Sequence, residues 1–215
     1  MPSAATRLIL RLPGFLLALS VHEYAHARMA YNLGDDTAEL SGRMTLEPWV
    51  HVDIIGALML LAFGFGWARP VPVDPYRLRN PRRDMAKIAL AGPVANLVTA
   101  FILEVITILL FTFARFSGAW SYIPTVLDVA AWINAGLAIF NLIPIPPLDG
   151  SRILELYIPY RIQHWWYELQ RYGFVVLAAL LILGIIPAIM QPLVTGYIGF
   201  AQKAGMAISL LLVKP

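Results

Sequence analysis

The chain has 215 residues, of which 59% are hydrophobic and 13% are charged. A soluble domain carries about 25% charged residues, so this composition excludes an ordinary soluble enzyme and predicts an integral membrane protein. The net charge of +3 is modest, and the sequence contains no nucleic-acid-binding motif. The chain has no cysteine, which excludes thiolate metal sites, disulfides and a cysteine nucleophile.

Apolar segments alternate with polar loops, and we expect an all-α polytopic membrane protein with a bundle of about five to six helices. The segments are residues 8–33, 54–67, 86–116, 123–145, 174–190 and 192–213. The second is shorter than the ~20 residues that a bilayer crossing needs, so we expect it to be re-entrant or interfacial. Between the first two, residues 37–46 alternate weakly, which would suit a small hairpin, an edge strand or a loop. We expect residues 1–215 to form a single membrane domain, with core motifs in 8–150 and accessory helices in 171–213.

A candidate metal motif, His22-Glu23-Tyr24-Ala25-His26, lies inside the first apolar segment. Histidines four apart share one helix face, so both imidazoles can bind one Zn²⁺, and Glu23 can act as general base on a water that the metal activates. Charged side chains in hydrocarbon cost about 2.5–3.5 kcal/mol each, so titratable residues in a spanning segment need a compensating role. The alternative is a buried helix whose histidines bond to the backbone.

A second motif, Asn-Leu-Ile-Pro-Ile-Pro-Pro-Leu-Asp-Gly at residues 141–150, ends a later apolar segment. Two histidines need at least a third protein ligand, with a further position open for water, and Asp149 is the obvious candidate. The prolines break the helix, which is tolerated at membrane depth only where protein or a water-filled cavity surrounds the freed carbonyls. Such a break would turn Asp149 inward, whereas the alternative is an ordinary surface turn.

The HExxH motif in an early span, followed by N-x-x-P-x-P-x-x-D-G, resembles the site-2 protease family of intramembrane zinc metalloproteases. Residues 91–96 look like the G-P-x-x-N element of that family. Residues 64–73, followed by Asn-Pro-Arg-Arg at 80–83, resemble its compact prokaryotic members without a PDZ domain.

The resemblance implies one Zn²⁺ per chain and a catalytic base, Glu23. The implied zinc ligands are His22, His26 and Asp149. It also implies that Asn141 and Asn96 orient the substrate or stabilise its oxyanion, a contact worth about 2.7–4 kcal/mol in a dry site. For both asparagines the alternative is hydrogen bonding between helices.

His51 and Asp53 form a small polar pair before the second apolar segment. They could support the metal site, contact the substrate or bind an additional metal. The alternative is a solvated helix start, with Asp53 near the positive end of the helix dipole.

Basic residues cluster within 69–87 and 152–171, so the positive-inside rule places both junctions in the cytoplasm. We therefore expect a multi-pass protein of a prokaryotic cell membrane, with an external N-terminus and a cytoplasm-facing active site. The expected reaction is hydrolysis of peptide bonds in or near transmembrane segments of membrane proteins. Residues 37–46 and 70–73 are candidate edges for pairing with an unwound substrate. A zinc-binding transporter or sensor and an inactive membrane scaffold are the alternatives.

Overall fold

The computed structural model describes residues 4–56, 59, 66–114 and 116–213. These residues form helices and loops without a β-strand, and one isolated antiparallel bridge joins Val52 to Ala68. The helices are α1 (Ala4–Asn32), α2 (Thr37–Leu40), α3 (Pro48–His51), α4 (Pro81–Phe113), α5 (Ile123–Asn141), α6 (Asp149–Glu155), α7 (Gln163–Ile182) and α8 (Ile185–Val213). The predicted all-α fold class is confirmed.

Three helical stretches in the described part of the chain are long and apolar enough to cross a membrane. By length and composition they are Pro81–Phe113, Trp120–Asn141 and Ile185–Val213. Helix α1, with 29 residues, also exceeds the ~20 residues that a crossing needs. These helices agree with the predicted integral membrane protein.

One compact unit comprises Met1–Ala18, Asn96–Phe140 and Ala178–Pro215. Its core consists mainly of small side chains, which let membrane helices approach closely. The core residues are Ala100, Ala131, Ala135, Val194 and Ile198. Two polar contacts add to this packing: the Tyr197 hydroxyl donates to the Leu97 carbonyl (2.6 Å), and Gln202 Nε2 donates to the buried Glu104 carboxylate (2.9 Å).

The other compact unit comprises Leu19–Ala95 and Asn141–Leu177. Its core consists of Ala30, Leu78 and Ile88, with Met29, Leu33, Val73 and Met85 packed against them. Asp35 is fully buried and accepts hydrogen bonds from the backbone amides of Thr37 (3.0 Å) and Asp74 (2.8 Å). This unit contains every predicted site residue except Asn96. That the whole chain forms a single domain stays a prediction.

The segment after α1 is a loop with one helical turn, so the predicted loop is confirmed and the hairpin and edge-strand alternatives are wrong. The Asp35 carboxylate accepts hydrogen bonds from both the amide and the hydroxyl of Thr37, a contact that starts a turn and competes with extended backbone. Residues 37–40 then form α2, and the chain reverses at Gly42, whose φ is +68°. These local hydrogen bonds therefore determine the conformation of residues 37–46, although their weak alternation of apolar and polar side chains favours a strand.

The last two helices are separated at Gly184, whereas the apolar segments predicted a break before Pro192. Gly184 has a φ of +72°, the left-handed conformation that ends many helices and favours glycine. Helix α7 begins at Gln163, well before the predicted residue 174, and α8 continues through Pro192. The predicted boundary is therefore wrong, because glycine in the left-handed conformation ends α7 and α8 tolerates the proline.

Most of the predicted re-entrant segment, residues 57, 58 and 60–65, lies outside the described residues. Its flanks lie side by side, because Val52 forms the antiparallel bridge with Ala68 and the Arg69 amide donates to the His51 carbonyl (2.8 Å). Whether the segment is re-entrant stays a prediction.

Candidate metal centre

The two histidines of the HExxH motif lie on one face of α1, as their spacing predicts. Their ring centroids are 4.5 Å apart with perpendicular planes, and the residues are only 5% and 9% exposed. His26 Nδ1 donates a hydrogen bond to the Ile88 carbonyl on α4 (2.7 Å). Because this bond fixes the tautomer of the ring, His26 Nε2 is left as the atom that can bind a metal.

Asp149 reaches both histidines from the first turn of α6, immediately after the proline-rich loop. Its Oδ2 lies 3.1 Å from His22 Nε2 and 3.3 Å from His26 Nε2. Gly150 makes this approach possible, since a Cβ there would collide with the Leu142 and Ile143 carbonyls. The break after α5 therefore turns Asp149 toward the histidines, and the surface-turn alternative does not describe this loop.

The resulting cluster fits a zinc ion in both chemistry and spacing. The ligand atoms that His22, His26 and Asp149 offer all lie within 4.8 Å of one another. Two imidazole nitrogens and one carboxylate oxygen form a donor set that catalytic zinc sites use. Bond lengths of about 2.0–2.1 Å in a tetrahedral site separate neighbouring ligand atoms by about 3.3 Å, close to both distances from Asp149.

Gly92 forms the wall of the cluster on α4. A Cβ at this position would lie 2.6 Å from His26 Cε1 and Nε2 and 2.8 Å from His22 Cε1. Ordinary contacts between such atoms are about 3.5–4.0 Å, so any side chain here would displace the imidazoles. The glycine of the G-P-x-x-N element thus leaves the space that the two imidazoles occupy.

The electrostatics of the cluster keep Asp149 ionised. Burial by itself raises the pKa of the Asp149 carboxyl, but its contacts with the imidazoles of His22 and His26 outweigh burial, so the pKa lies below its usual value.

The C-terminal end of α6 is held by Arg82, because its guanidinium donates to the carbonyls of Glu155 (2.5 Å) and Ile158 (2.6 Å). Arg82 therefore fixes the short helix that presents the Asp149 carboxylate.

Glu23 is buried beside the cluster, with 7% of its surface exposed. Its Oε2 accepts a hydrogen bond from the Val71 backbone amide (3.1 Å). This contact brings the proline-rich segment after Trp67 against the predicted general base. Sequence reasoning missed the interaction, because it involves a backbone atom.

The two predicted asparagines differ in their surroundings. Asn141 is the last residue of α5, is half-buried and precedes the loop that leads to Asp149. Asn96 belongs to the other compact unit, where its fully buried amide donates to the Ala18 carbonyl and to Asn134 Oδ1, both at 2.9 Å. Both hydrogens of this amide are thus used in contacts within the protein, as the helix-packing alternative requires.

His51 and Asp53 make local contacts and do not belong to the three-residue cluster. The His51 ring is fully buried, with Nε2 2.8 Å from the Thr45 carbonyl. Asp53 Oδ1 accepts from the Gly56 amide (2.8 Å), a contact typical of a helix start. A supporting role for this pair stays a prediction.

Comparisons with known proteins agree with this geometry. The model of peptidase family M50 matches residues 115–184. A Bacillus subtilis protein named "Putative zinc metalloprotease YwhC" is 38% identical over 83% of this chain and 82% of its own length. "Putative zinc metalloprotease Rip2" of Mycolicibacterium smegmatis is 30% identical over 81% of this chain and 67% of its own length. A third relative, "Putative zinc metalloprotease MJ0611" of Methanocaldococcus jannaschii, is 31% identical over 62% of this chain and 63% of its own length. No solved structure gives a significant match.

Proposed function

Since the chain belongs to the site-2 protease family, peptidase family M50, and is an intramembrane zinc metalloprotease, we propose an active site built on its two sequence motifs. The proposed zinc ligands are His22, His26 and Asp149. Glu23 is the proposed general base. The observation that carries this assignment is the convergence of three ligand atoms within 4.8 Å, next to a buried glutamate.

The reaction is hydrolysis of a peptide bond. Zinc held by these ligands supplies Lewis acidity toward a water molecule and toward the carbonyl of the scissile bond. Glu23 accepts a proton from the attacking water as the new C–O bond forms, and passes it to the amine that leaves when the C–N bond breaks. Because Glu23 is buried, its carboxylate acts with little screening by bulk water.

The protein acts on membrane substrates, and we propose that it cuts within or near their transmembrane helices. A scissile bond in a helix is hydrogen-bonded and covered, so the substrate must unwind, and an extended segment of the protease could pair with its backbone. Of the two candidate edges, residues 70–73 run without helix beside Glu23, whereas residues 37–40 are helical. The Val71 N–H donates to Glu23 and the prolines have no N–H, so residues 70–72 would pair with a substrate only through their carbonyl groups. Asn141, at the start of the proline-rich loop, is the proposed donor that orients the substrate.

The active site is proposed to face the cytoplasm, with the N-terminus outside and residues 54–67 re-entrant. The bridge between Val52 and Ala68 supports this topology, because a segment whose ends are paired begins and ends at the same level. The chain has no native cysteine, so single cysteines can be labelled cleanly. Ser3→Cys and Asp74→Cys are expected to react with a membrane-impermeant maleimide from opposite sides, and labelling from the same side would overturn the topology.

The role of Glu23 is tested with Glu23→Gln in purified protein, against a fluorogenic peptide that contains a membrane-spanning helix and is cleaved by the wild type. The variant should keep about one zinc per chain and lose turnover, because the amide cannot accept the proton. Glu47→Gln, at an exposed site, is the matched control and should cleave normally. Cleavage by Glu23→Gln at the wild-type rate would contradict the assignment.

A further inference from the structure

The segment that contacts Glu23 has a single backbone donor at its centre. Val71 stands between Pro70 and Pro72, and neither proline has an N–H. The Val71 amide is therefore the only hydrogen-bond donor of this tripeptide backbone, and it donates to Glu23 Oε2 at 3.1 Å. The sequence Pro-Val-Pro thus places one isolated N–H against the carboxylate.

The direction of this N–H is held by the residues around it. A proline restricts the residue before it to extended backbone, so Pro70 and Pro72 restrict Arg69 and Val71 respectively. The Arg69 amide donates to the His51 carbonyl (2.8 Å), next to the bridge between residues 52 and 68. These contacts fix the segment before it reaches Glu23.

A buried arginine completes the support. Arg43 is only 7% exposed, and its Nη2 donates to the carbonyls of Arg69 (2.6 Å) and Pro70 (3.2 Å). The second carbonyl belongs to the peptide group whose N–H is that of Val71. Burying a charged guanidinium costs free energy unless hydrogen bonds replace its contacts with water. Here its hydrogen bonds to the two carbonyls hold the peptide group that faces the general base.

We propose that the Val71 amide, held in place by Arg43, is a positioning element for Glu23. With Oε2 occupied by the Val71 N–H, the carboxylate cannot rotate freely, and Oε1 remains to accept the proton of the attacking water. Val71 acts through its backbone and Arg43 acts through residues 69 and 70, so neither contacts the reacting atoms. The proposal rests on the assigned role of Glu23 and adds the device that orients it.

The test compares two substitutions at one position. Val71→Pro removes the N–H in a segment already confined by two prolines, whereas Val71→Ala shortens the side chain and keeps the N–H. Hydrolysis of the transmembrane-helix peptide is measured together with zinc content and thermal unfolding in detergent. Val71→Pro should lower kcat about 10- to 100-fold with KM nearly unchanged and about one zinc retained, because hydrogen bonds to charged groups have such effects. Because Val71→Ala keeps the N–H, its kcat should be about 10- to 100-fold higher than that of Val71→Pro.

Arg43 gives a second test that does not depend on how Val71→Pro folds. Arg43→Met should lower kcat to a similar extent, and Arg43→Lys should restore part of it by keeping one cationic donor. Combining Arg43→Met with Val71→Pro should cost little more than either alone, because both remove the same contact. Equal kcat for Val71→Pro and Val71→Ala, or independent effects of Arg43→Met and Val71→Pro, would overturn the proposal.

Failure of this proposal and failure of the catalytic assignment give different results. If Glu23→Gln is inactive while Val71→Pro and Val71→Ala are equally active, Glu23 is the base but the Val71 amide does not position it. If Glu23→Gln cleaves like the wild type, the catalytic assignment itself is wrong.

Discussion

Gly92→Ala is expected to damage the metal site while leaving the helix intact. The new Cβ would lie 2.6 Å from His26 Nε2 and 2.8 Å from His22 Cε1. Normal contacts begin near 3.5 Å, so each ring must move by about 0.7–0.9 Å. Metal–ligand distances tolerate only about 0.2 Å, and the displacement is several times larger.

The rings have little freedom to escape this collision. The His26 ring is tied to the Ile88 carbonyl by a 2.7 Å hydrogen bond, so rotating it away sacrifices a buried contact. Losing the support of a ligand in this way typically weakens metal binding about 10- to 100-fold. In α4 itself, alanine is favoured over glycine by about 1 kcal/mol, so helix propensity opposes any unfolding.

The assay is competition for zinc between the purified protein and a chromophoric chelator, accompanied by thermal unfolding in detergent. Gly136→Ala is the matched control, because this glycine lies inside α5 and a Cβ added there would meet no neighbouring atom within 4 Å. It should bind zinc like the wild type and be as stable or slightly more stable. Wild-type zinc affinity in Gly92→Ala would refute the placement of the imidazoles against this glycine.

Two further predictions separate structural from catalytic roles. Asn96→Leu leaves the buried acceptors on Ala18 and Asn134 without their donor. The free energy of unfolding should therefore fall by about 1–3 kcal/mol, and the zinc content should not change. A loss of kcat at full thermal stability would instead support an oxyanion role. Arg82→Ala frees the C-terminal end of α6 and should weaken zinc binding about 2- to 5-fold in the chelator assay. The control Arg83→Ala should bind zinc like the wild type. Equal zinc affinities of the two variants would show that the contacts of Arg82 with α6 are unnecessary for the site.

The centre of the site could be predicted because its chemistry is carried by side chains at fixed spacings. His22 and His26 share a helix face by periodicity alone, and the need for a third ligand pointed to Asp149. The prolines before Asp149 indicated that the chain leaves the helix there, and the structure places its carboxylate 3.1 Å from His22. The sequence therefore contained both halves of the proposed metal centre.

The surroundings of the site could not be predicted, because they depend on backbone atoms and on absent side chains. Gly92 contributes only space, and Val71 contributes only its N–H. Nothing in the sequence singled out Arg43, whereas Pro70-Val71-Pro72 carried one usable signal, a lone amide between two prolines. The helix boundary at Gly184 was missed because the apolar segment 174–190 continues through it, and the boundary depends on the positive φ that this glycine adopts.

The most direct test of the metal centre is the zinc content of the purified protein in detergent, measured for wild type, Asp149→Ala and Glu47→Ala. Wild type and Glu47→Ala should each hold about one zinc per chain, because Glu47 is exposed and does not belong to the cluster. Asp149→Ala should lose zinc or bind it far more weakly, since only two imidazoles remain. Full zinc content in Asp149→Ala would contradict the account, because the two motifs would then not form one site.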